Sequence, residues 1–474
     1  MRNLTMMTDL YQLTMMNAYL KMGMADREAV FDVFYRSAPG LEFAVAAGLE
    51  QAVEYINNLH FTEEEIEYLK SLALFDEAFF DRLRKFRFTG DIFAVREGEI
   101  VFPTEPILTV RAPLFEAQLV ETALLNIINH QTLIATKALK ITQETTGAVS
   151  EFGLRRAQGP DAGIYGSRAS MIGGCTSTSN VLAGQLFDVR ISGTHAHSWV
   201  MSFPTELEAF RHYAEIYPEN CLLLVDTYNT LKSGVPNAIK VFDELSAKGY
   251  RPVGIRLDSG DLAYLSKIAR KMLDDAGYPD AKIFASGDID ENILSSLKSQ
   301  GAKIDVWGIG TKLITASPNP ALGGVYKLAA INLNGEWEPR MKFSDTPEKL
   351  TNPGFKTTYR IYGGDGMAAA DLIALRSERF DETKPLTIFH PLETWKKTTF
   401  TDYRMRDLMV QVFDRGKQVY ELPPLKEIIA FAARSREEFW EEYKRRVNPH
   451  RYKVDLSDGL YALKQSLLRA NQEH

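Results

Sequence analysis

The fold is decided by five short segments: VRISGTHAHS at 189–198, CLLLVDTYNT at 221–230, PVGIRLDSGDL at 252–262, KIFASGDID at 282–290 and DVWGIGTKL at 305–313. Each begins with a brief β-branched or apolar run and ends in Gly, Asp or Thr, and amphipathic stretches separate them. Most are about 30 residues apart, which is the length of one strand-helix unit. The pattern predicts a parallel barrel or a doubly wound sheet.

The regions outside these segments follow other patterns. Residues 91–113 alternate apolar runs with Gly, Glu and Pro turns and predict a small β-rich unit. Residues 115–139 have helical spacing, and PPLKEIIAFAARSREEFWEEYKRR at 423–446 predicts an amphipathic helix. The repeating strand-helix pattern is therefore flanked on both sides by chain of a different kind.

Composition restricts the class of protein. The 474 residues are 45% hydrophobic and 25% charged, which is ordinary for a globular chain. A net charge of −7 provides no basic field for a nucleic-acid backbone. Two cysteines, Cys175 and Cys221, cannot build a disulfide framework. Because the sequence shows neither a leader pattern nor a run of about 18 apolar residues, we expect a cytoplasmic protein without a membrane partner.

His195 and His197 in GTHAHS allow three interpretations. If the strand continues, a spacing of two puts both imidazoles on one face, where they could be two ligands of a metal ion. They could also be ordinary histidines whose nitrogens are satisfied by the backbone. Thirdly, a neutral imidazole is a competent nucleophile toward phosphorus, and neighbouring hydroxyl groups could bind phosphoryl oxygens.

Carboxylates follow several of the predicted strands. Crowded at one end of a parallel sheet, they would repel each other unless a cation lay among them, which favours Mg²⁺ with a phosphorylated sugar; they are Asp226, Asp258, Asp261 and Asp288. Arg256 lies two residues before Asp258 and points to the same side, where it could bind a ligand anion. The alternative is an internal ion pair between Arg256 and Asp258.

Small residues and an aromatic complete the candidate site. Gly287 and Gly308 lie at strand-to-helix turns, whose exposed N–H groups suit a phosphate, although such glycines often serve only tight turns. Phe152 offers a flat face for an aromatic ring, and Arg155 offers a fork for a carboxylate or phosphate. The usual mononucleotide and dinucleotide glycine motifs do not occur as a strand-turn-helix unit.

In chain order, the motifs resemble those of nicotinate phosphoribosyltransferases, in the type II phosphoribosyltransferase family: TDLYQLTM, FGLRRAQGPD, TSNVLAGQL, GTHAHSWV, VDTYNT, GIRLDSGDL, SGDI, GIGTKL and VYKL. The resemblance spans most of the chain. It implies an α/β fold with an irregular, TIM-like parallel barrel at 141–344. It also implies a second, α+β domain formed by residues 1–140, with the C-terminal segments at 345–474 packing on it.

The implied activity is an ATP-dependent phosphoribosyl transfer in NAD salvage. Nicotinate, phosphoribosyl pyrophosphate, ATP and water would give nicotinate mononucleotide, pyrophosphate, ADP and phosphate. The resemblance implies that His197 becomes a phosphohistidine, that Arg256 and Asp258 act with it in catalysis, and that Asp226 and Asp258 lie near the ribose and Mg²⁺. Further residues implied to bind nicotinate, the sugar or its 5′-phosphate are Arg155, Thr194, Gly287, Asp288, Gly308, Gly310 and Thr311. His195 has no implied role.

The resemblance also implies a homodimer in which the partner's Tyr11 stacks on the pyridine ring opposite Phe152. Ser179 and Asn180 are implied to set specificity, because related nicotinamide enzymes carry an aspartate near this position. A neutral Asn180 does not repel a carboxylate, which favours nicotinate over nicotinamide. One departure from the family pattern is Arg36, which is followed by Ser37 where a second basic residue is expected.

Three alternatives stay open at this point. A nicotinamide phosphoribosyltransferase would use the amide in place of the acid. A metal-dependent amidohydrolase would use His195 and His197 as metal ligands. A catalytically silent nucleotide-sensing barrel would bind ligands without turnover.

Overall fold

The described residues of the computed structural model are 3–344, 349–391, 393 and 395–472. Parts of the expected 345–474 segment, at 345–348, 392, 394, 473 and 474, thus lie outside the described residues. The strands are β1 (Glu28–Tyr35), β2 (Ala44–Val45), β3 (Asp91–Val95), β4 (Ile100–Val101), β5 (Leu108–Pro113), β6 (Ala148–Glu151), β7 (Ser177–Thr178), β8 (Leu222–Leu224), β9 (Gly254–Leu257), β10 (Lys282–Gly287), β11 (Val306–Ile309), β12 (Gly324–Leu333), β13 (Glu336–Pro339), β14 (Lys356–Gly363), β15 (Ala368–Leu375), β16 (Leu386–Phe389), β17 (Lys397–Phe400), β18 (Tyr403–Asp407), β19 (Met409–Asp414), β20 (Lys417–Gln418) and β21 (Val454–Leu456).

The helices are α1 (Leu10–Lys21), α2 (Leu49–Asn57), α3 (Glu63–Ser71), α4 (Glu77–Arg84), α5 (Leu114–Leu119), α6 (Glu121–Thr142), α7 (Pro160–Ile172), α8 (Val181–Phe187), α9 (His197–Met201), α10 (Glu206–Ile216), α11 (Val235–Ala247), α12 (Leu262–Asp275), α13 (Glu291–Ser299), α14 (Thr311–Ile314), α15 (Leu425–Glu437), α16 (Glu441–Lys444) and α17 (Asp458–Gln472). None of the described helices is long and apolar enough to cross a membrane.

The chain forms two compact units, one from residues 1–133 and 321–474 and the other from 134–320. The sequence predicts boundaries after residues 140 and 344. The difference at the second boundary arises from β12, which pairs antiparallel with β1 from Ala29 to Tyr35. Because this ladder contributes backbone hydrogen bonds along the whole of β1, residues 324–333 belong to the first unit.

The 134–320 unit is built on a parallel sheet in the order β7-β6-β11-β10-β9-β8. All its ladders are parallel, and α11 and α12 pack on it through an apolar core that includes Leu223, Ile255 and Ile283. Such strands are buried on both faces, which explains their continuous apolar runs. The predicted α/β class with a parallel sheet is therefore confirmed.

A closed, TIM-like barrel is not confirmed. In the part of the chain that the structure describes, β7 and β8 are the edges of the parallel sheet. The segment 189–198 was expected to be a strand, but only Ile191 pairs with the sheet, through a single parallel bridge to Thr178. Ser192 and Gly193 follow, and such residues favour a turn over a continued strand.

The 1–133 and 321–474 unit contains two larger sheets. One is antiparallel throughout, in the order β13-β12-β1-β5-β3-β19-β20. The other has the order β17-β16-β21-β15-β14-β18 and contains one parallel pair, β15 with β21. The helices of this unit accompany antiparallel sheets, so its class is α+β.

A buried charge cluster ties this unit together. Arg360 is fully buried and contacts the carboxylates of Glu99 at 2.6 Å and Asp371 at 2.8 Å. Arg406 contacts the second oxygen of Glu99 at 2.7 Å. These contacts, two of which are bidentate (Arg360 with Asp371 and Arg406 with Glu99), offset the large cost of burying charge. They also join positions 261 residues apart in the sequence, Glu99 and Arg360.

Candidate active site

The ends of β9 and β10 bring together an arginine, a carboxylate and a hydroxyl. Arg256 Nη2 donates to Asp258 Oδ1 at 2.8 Å, and Arg256 Nε donates to Ser286 Oγ at 2.8 Å. Ser286 in turn donates to the same oxygen of Asp258. Burial favours the neutral carboxyl, but the Ser286 hydrogen bond and the charge of Arg256 together hold the pKa of Asp258 below its usual value. Asp258 therefore stays an anion.

Asp226, at the end of β8, lies beside Asp258. Its Oδ2 accepts hydrogen bonds from Asp258 N at 2.9 Å and from Ser259 Oγ at 2.6 Å. Its Oδ1 is buried and has no hydrogen-bond partner among the described residues. Asp261, by contrast, accepts from Tyr264 N and is the N-cap of α12. Of the carboxylates expected to lie close together, Asp226 and Asp258 form a contacting pair, whereas Asp261 caps a helix.

His197 is the first residue of α9 and lies next to this pair. Its Nε2 is 3.8 Å from Asp258 Oδ2, and its Nδ1 is 3.2 Å from Thr227 Oγ1. The side chain is 38% exposed, so a ligand can reach the ring. Thr227 was not singled out from the sequence, although it directly follows Asp226 at a strand end.

His195 and His197 have different surroundings, because the 189–198 segment does not form a continued strand. Its Nε2 accepts a hydrogen bond from Leu224 N at 3.3 Å, and its ring lies edge-on to Tyr213 at 4.6 Å. Burial lowers the pKa of His195 from 6.5 to about 4. It is therefore a neutral histidine whose ring packs in the interior and whose Nε2 is used by the β8 backbone.

Phe152 follows β6 and is held against β11. Its N–H donates to the carbonyl of Ile309 at 2.8 Å. A Cβ added to Gly308 would lie 2.7 Å from the Phe152 ring, and one added to Gly310 would lie 2.8 Å from the Phe152 carbonyl. Both glycines thus allow Phe152 to approach β11, a packing function that the sequence did not reveal.

A small pocket opens between the Phe152 ring and the end of β10. The Arg256 guanidinium lies 5.7 Å from the centre of that ring, within the range of a cation–π contact. The residues lining this ring pocket are Phe152, Ser192, Gly193, Thr194, Leu222, Arg256, Phe284, Ala285, Ser286 and Gly308. The lining therefore contains four of the predicted ligand residues: Phe152, Thr194, Arg256 and Gly308.

The hydrogen-bonding groups of two predicted ligand residues are already used within the protein. Thr194 Oγ1 donates to the carbonyl of Leu222 at 2.7 Å. Asn180 is 1% exposed and is the N-cap of α8, where its Oδ1 accepts from Ala183 N and its Nδ2 donates to Ser167 Oγ. Asn180 therefore shapes the 177–180 segment from within, while Ser179 beside it is only half-buried.

The remaining predicted residues lie apart from the ring pocket lining. Gly287 has a φ of +123°, which favours glycine, and an added Cβ would meet the Asp258 carbonyl at 3.1 Å. Asp288 and Arg155 are exposed, and Thr311 begins α14. Their phosphate-binding roles stay predictions.

Tyr11 belongs to the other unit, on α1. Its ring is 48% exposed, and its hydroxyl donates to Glu121 at 3.1 Å. Burial and the charge of Glu121 raise its pKa to about 12. Tyr11 is therefore a neutral aromatic with an accessible face.

No group of three or more His, Cys, Asp or Glu side chains in the described part of the chain is arranged to hold a metal ion. Mg²⁺ does not require three protein ligands, since it commonly binds one or two carboxylates and completes its shell with water and substrate phosphates. The unpartnered Oδ1 of Asp226 and the Oδ2 of Asp258 fit that more limited requirement.

Comparison with known proteins places the chain in a family. Family descriptions match at 6–129 (nicotinate phosphoribosyltransferase N-terminal domain), 148–379 (nicotinate phosphoribosyltransferase family) and 355–464 (C-terminal domain). A nicotinate phosphoribosyltransferase of Bacillus subtilis is 48% identical over 465 residues, which cover 98% of this chain and 94% of that protein. The chain belongs to the nicotinate phosphoribosyltransferase family.

Relatives in eukaryotes support the same assignment. The human nicotinate phosphoribosyltransferase is 35% identical and covers 98% of this chain and 96% of its own length. The crystal structure of human nicotinic acid phosphoribosyltransferase superposes with a TM-score of 0.87 at 33% identity, over 97% of this chain and 99% of that one. The chain is thus an enzyme with the fold of this family, which sets aside the amidohydrolase and the silent sensing barrel.

Proposed function

We propose that this enzyme transfers the phosphoribosyl group of phosphoribosyl pyrophosphate to nicotinate, in NAD salvage. The observation that carries the proposal is the ring pocket, in which the Phe152 face and the Arg256 guanidinium line one space next to Asp258. A flat ring bearing a carboxylate matches this combination of an aromatic face and a cation.

The transfer needs no general base. The lone pair of the pyridine nitrogen forms a bond to C1 of the ribose, while the bond from C1 to pyrophosphate breaks and pyrophosphate leaves with both electrons. Positive charge develops on the ribose in the transition state. The carboxylates of Asp226 and Asp258 favour that charge, and Phe152 with Arg256 orients the ring toward C1.

ATP is proposed to act through His197. A ring nitrogen attacks the terminal phosphorus of ATP, the bond to ADP breaks, and water later removes the phosphoryl group as phosphate. The Thr227 hydroxyl orients the ring through Nδ1 at 3.2 Å, and the Asp258 carboxylate lies 3.8 Å from Nε2. Its phosphorylation would place negative charge close to Asp258, which links ATP use to the phosphoribosyl site.

Asp226 and Asp258 are the residues proposed to hold Mg²⁺. When bound, Mg²⁺ neutralises the charge that develops on the departing pyrophosphate. The 5′-phosphate and neighbouring anions are proposed to bind to backbone N–H groups and one guanidinium. The residues that would supply them are Gly287, Asp288, Gly308, Gly310, Thr311 and Arg155.

We also propose that 190–195 completes an irregular barrel and that the enzyme is a homodimer. Ile191 bridges to Thr178 on one side, and the side chains of Thr194 and His195 bond the β8 backbone on the other. The exposed ring of Tyr11 is a suitable second face for the pyridine ring if the partner subunit supplies it.

The test measures mononucleotide formation from nicotinate or nicotinamide with phosphoribosyl pyrophosphate and Mg²⁺, with and without ATP. We expect nicotinate to be the preferred base and ATP to accelerate its conversion. His197→Ala should remove both the ATP stimulation and acid-labile label from γ-³²P-ATP, while a basal rate without ATP persists. A His197→Ala enzyme that still responds to ATP would refute the phosphohistidine, and preference for nicotinamide would refute the substrate.

A further inference from the structure

Glu151, the last residue of β6, is a buried carboxylate surrounded by hydrogen-bond donors. It is 0% exposed. Its Oε1 accepts from the N–H of Gly153, and its Oε2 accepts from Thr178 Oγ1 at 2.6 Å. Ser167 Oγ lies 2.9 Å from the same Oε2, and its one hydroxyl proton is shared between this oxygen and the Gly163 carbonyl at 2.8 Å. The structure gives Glu151 no ion pair with a described Lys or Arg. These three hydrogen bonds therefore have to offset the cost of burying the charge.

The hydrogen-bond donors around Glu151 explain why a carboxylate lies at this position. A carboxylate only accepts hydrogen bonds, through two oxygens with several lone pairs, so it can satisfy three donors at once. A glutamine of the same shape would present an NH₂ group to one of them and lose that contact. The arrangement thus favours a side chain that accepts hydrogen bonds at both of its terminal atoms, and no substrate atom is needed to explain it.

One branch of these contacts fixes Phe152. Gly153 directly follows Phe152, and an added Cβ at Gly153 would lie 2.5 Å from Ile314 and 2.8 Å from Oε1 of Glu151. With its own N–H bonded to Ile309 and the next N–H bonded to Glu151, the Phe152 backbone is held on both sides. The point from which the ring leaves the backbone is thereby fixed, and Gly308 gives the ring its room beside β11.

The other branch leads to the 177–180 segment. Thr178 is the register partner of Glu151 in the parallel ladder of β6 and β7. Asn180 N donates to Thr178 Oγ1 at 3.0 Å, and Asn180 Nδ2 donates to Ser167 Oγ at 3.2 Å. Both hydroxyls that Asn180 contacts are the ones that donate to Glu151.

We propose that Glu151 is a positioning residue that fixes the Phe152 ring relative to the 177–180 segment and so sets the geometry of the pyridine-ring site. It acts through Phe152, Thr178 and Asn180 and does not touch the substrate. The inference rests on the proposed function, since it concerns how that site holds nicotinate.

Two sets of variants test it, with KM measured separately for nicotinate and for phosphoribosyl pyrophosphate. Glu151→Gln is expected to raise KM for nicotinate about tenfold, because small misplacements of a binding face are costly, and to leave KM for phosphoribosyl pyrophosphate within about twofold. Thr178→Val removes one donor and should act in the same direction. Thr178→Ser restores the hydroxyl and should return KM for nicotinate to the wild-type value.

Ser177→Ala is the matched control. Ser177 Oγ and Ser150 Oγ form a buried hydrogen bond of 2.7 Å between the same two strands, one register step from Glu151 and Thr178. Loss of this hydrogen bond in Ser177→Ala should leave the KM for nicotinate unchanged. If Glu151→Gln does not fold, the Thr178→Val and Thr178→Ser pair still gives the answer.

Wild-type KM for nicotinate in Thr178→Val, or an equal rise of both KM values in all variants including Ser177→Ala, would overturn the proposal. A chain that makes no nicotinate mononucleotide even without substitution would instead refute the proposed function, and the positioning role with it.

Discussion

Gly308→Ala tests whether the position of Phe152 depends on the missing side chain of β11. The new Cβ would lie 2.7 Å and 2.8 Å from two carbons of the Phe152 ring and 3.3 Å from the Cβ of Ser286. Since carbon atoms pack at about 3.5–4.0 Å, the ring or the strand has to move by roughly 1 Å.

Two opposing effects set the size of the change in stability. Overpacking of a well-packed site costs about 1–3 kcal/mol. Replacing glycine by alanine also restricts the unfolded chain, which contributes about 0.4–1 kcal/mol in favour of folding where φ is compatible, and Gly308 has no positive φ. We expect Gly308→Ala to lower the free energy of unfolding by about 0–2.6 kcal/mol, with a central value of about 1.3 kcal/mol.

The effect on binding separates packing from phosphate recognition. Alanine keeps the backbone N–H that a phosphate would use, so the KM for phosphoribosyl pyrophosphate should change little. The KM for nicotinate should rise by on the order of 10-fold to 100-fold, because a 1 Å displacement of a positioned group has effects of that size. Steady-state kinetics with each substrate varied in turn measures both values.

A double-mutant cycle with Phe152→Leu provides the control for stability. In the Phe152→Leu background the clash with the ring is removed, so Gly308→Ala should no longer destabilise and a coupling energy of about 1–3 kcal/mol should appear in urea unfolding. Additive changes, or a selective rise of the KM for phosphoribosyl pyrophosphate, would refute the packing role of Gly308.

Two further predictions concern buried charge. His195→Gln keeps an acceptor for Leu224 N but cannot take up a proton. The pKa of His195 falls from 6.5 to about 4 on folding, so the unfolded chain binds the proton more readily than the folded one. The wild type should therefore lose up to about 3 kcal/mol of stability as the pH drops from 6.5 to about 4, and the variant should not. Parallel curves of unfolding free energy against pH would contradict this. Lys137→Met leaves the buried carboxylate of Glu291 without the ammonium that now contacts it at 2.5 Å, and should cost about 3–5 kcal/mol in urea unfolding. Lys137→Met with Glu291→Leu should recover most of this loss, whereas an equally unstable double variant would mean that the ion pair is not the cause.

The parallel sheet could be predicted because its strands carry the signal themselves. Buried runs such as Leu222–Leu224 and Gly254–Leu257 are apolar on both faces and recur with the spacing of strand-helix units. The 189–198 segment has a similar composition, but its contacts to β8 are made by the side chains of Thr194 and His195. A rule based on strand periodicity cannot foresee such contacts, and the condition under which His195 and His197 would share a face, a continued strand, is not met.

Predicted helices were found, with breaks that local patterns did not locate. The helix expected at 115–139 is α5 followed by α6, and the C-terminal helix expected at 423–446 ends at Glu437 before the short α16. Trp440 has an extended backbone between these two helices. Apolar periodicity continues through both breaks, so only the backbone angles reveal them.

In the candidate site, too, local sequence patterns predict some contacts, and others depend on the fold. Arg256 and Asp258 could be placed together because side chains two residues apart on a strand share a face. Asn180 could have been recognised as a helix N-cap, since it directly precedes the apolar run VLAGQLF. Ser286 and Glu151 could not have been found, because their contacts connect separate strands and helices whose proximity is known only from the fold.

The 1–133 and 321–474 unit is made in two parts, and its second part leaves the ribosome only after the 134–320 unit. Glu99 emerges early, whereas its partner Arg360 is made 261 residues later, after the whole 134–320 unit has been translated. Domains generally fold as units while the chain elongates, so the parallel sheet can form before the first unit has its central cation. Until then Glu99 has no reason to leave water, since burying it alone is strongly unfavourable. Until Arg360 has been translated, the Glu99 side chain therefore remains in water, and the N-terminal part of this unit lacks the charge cluster that ties the unit together.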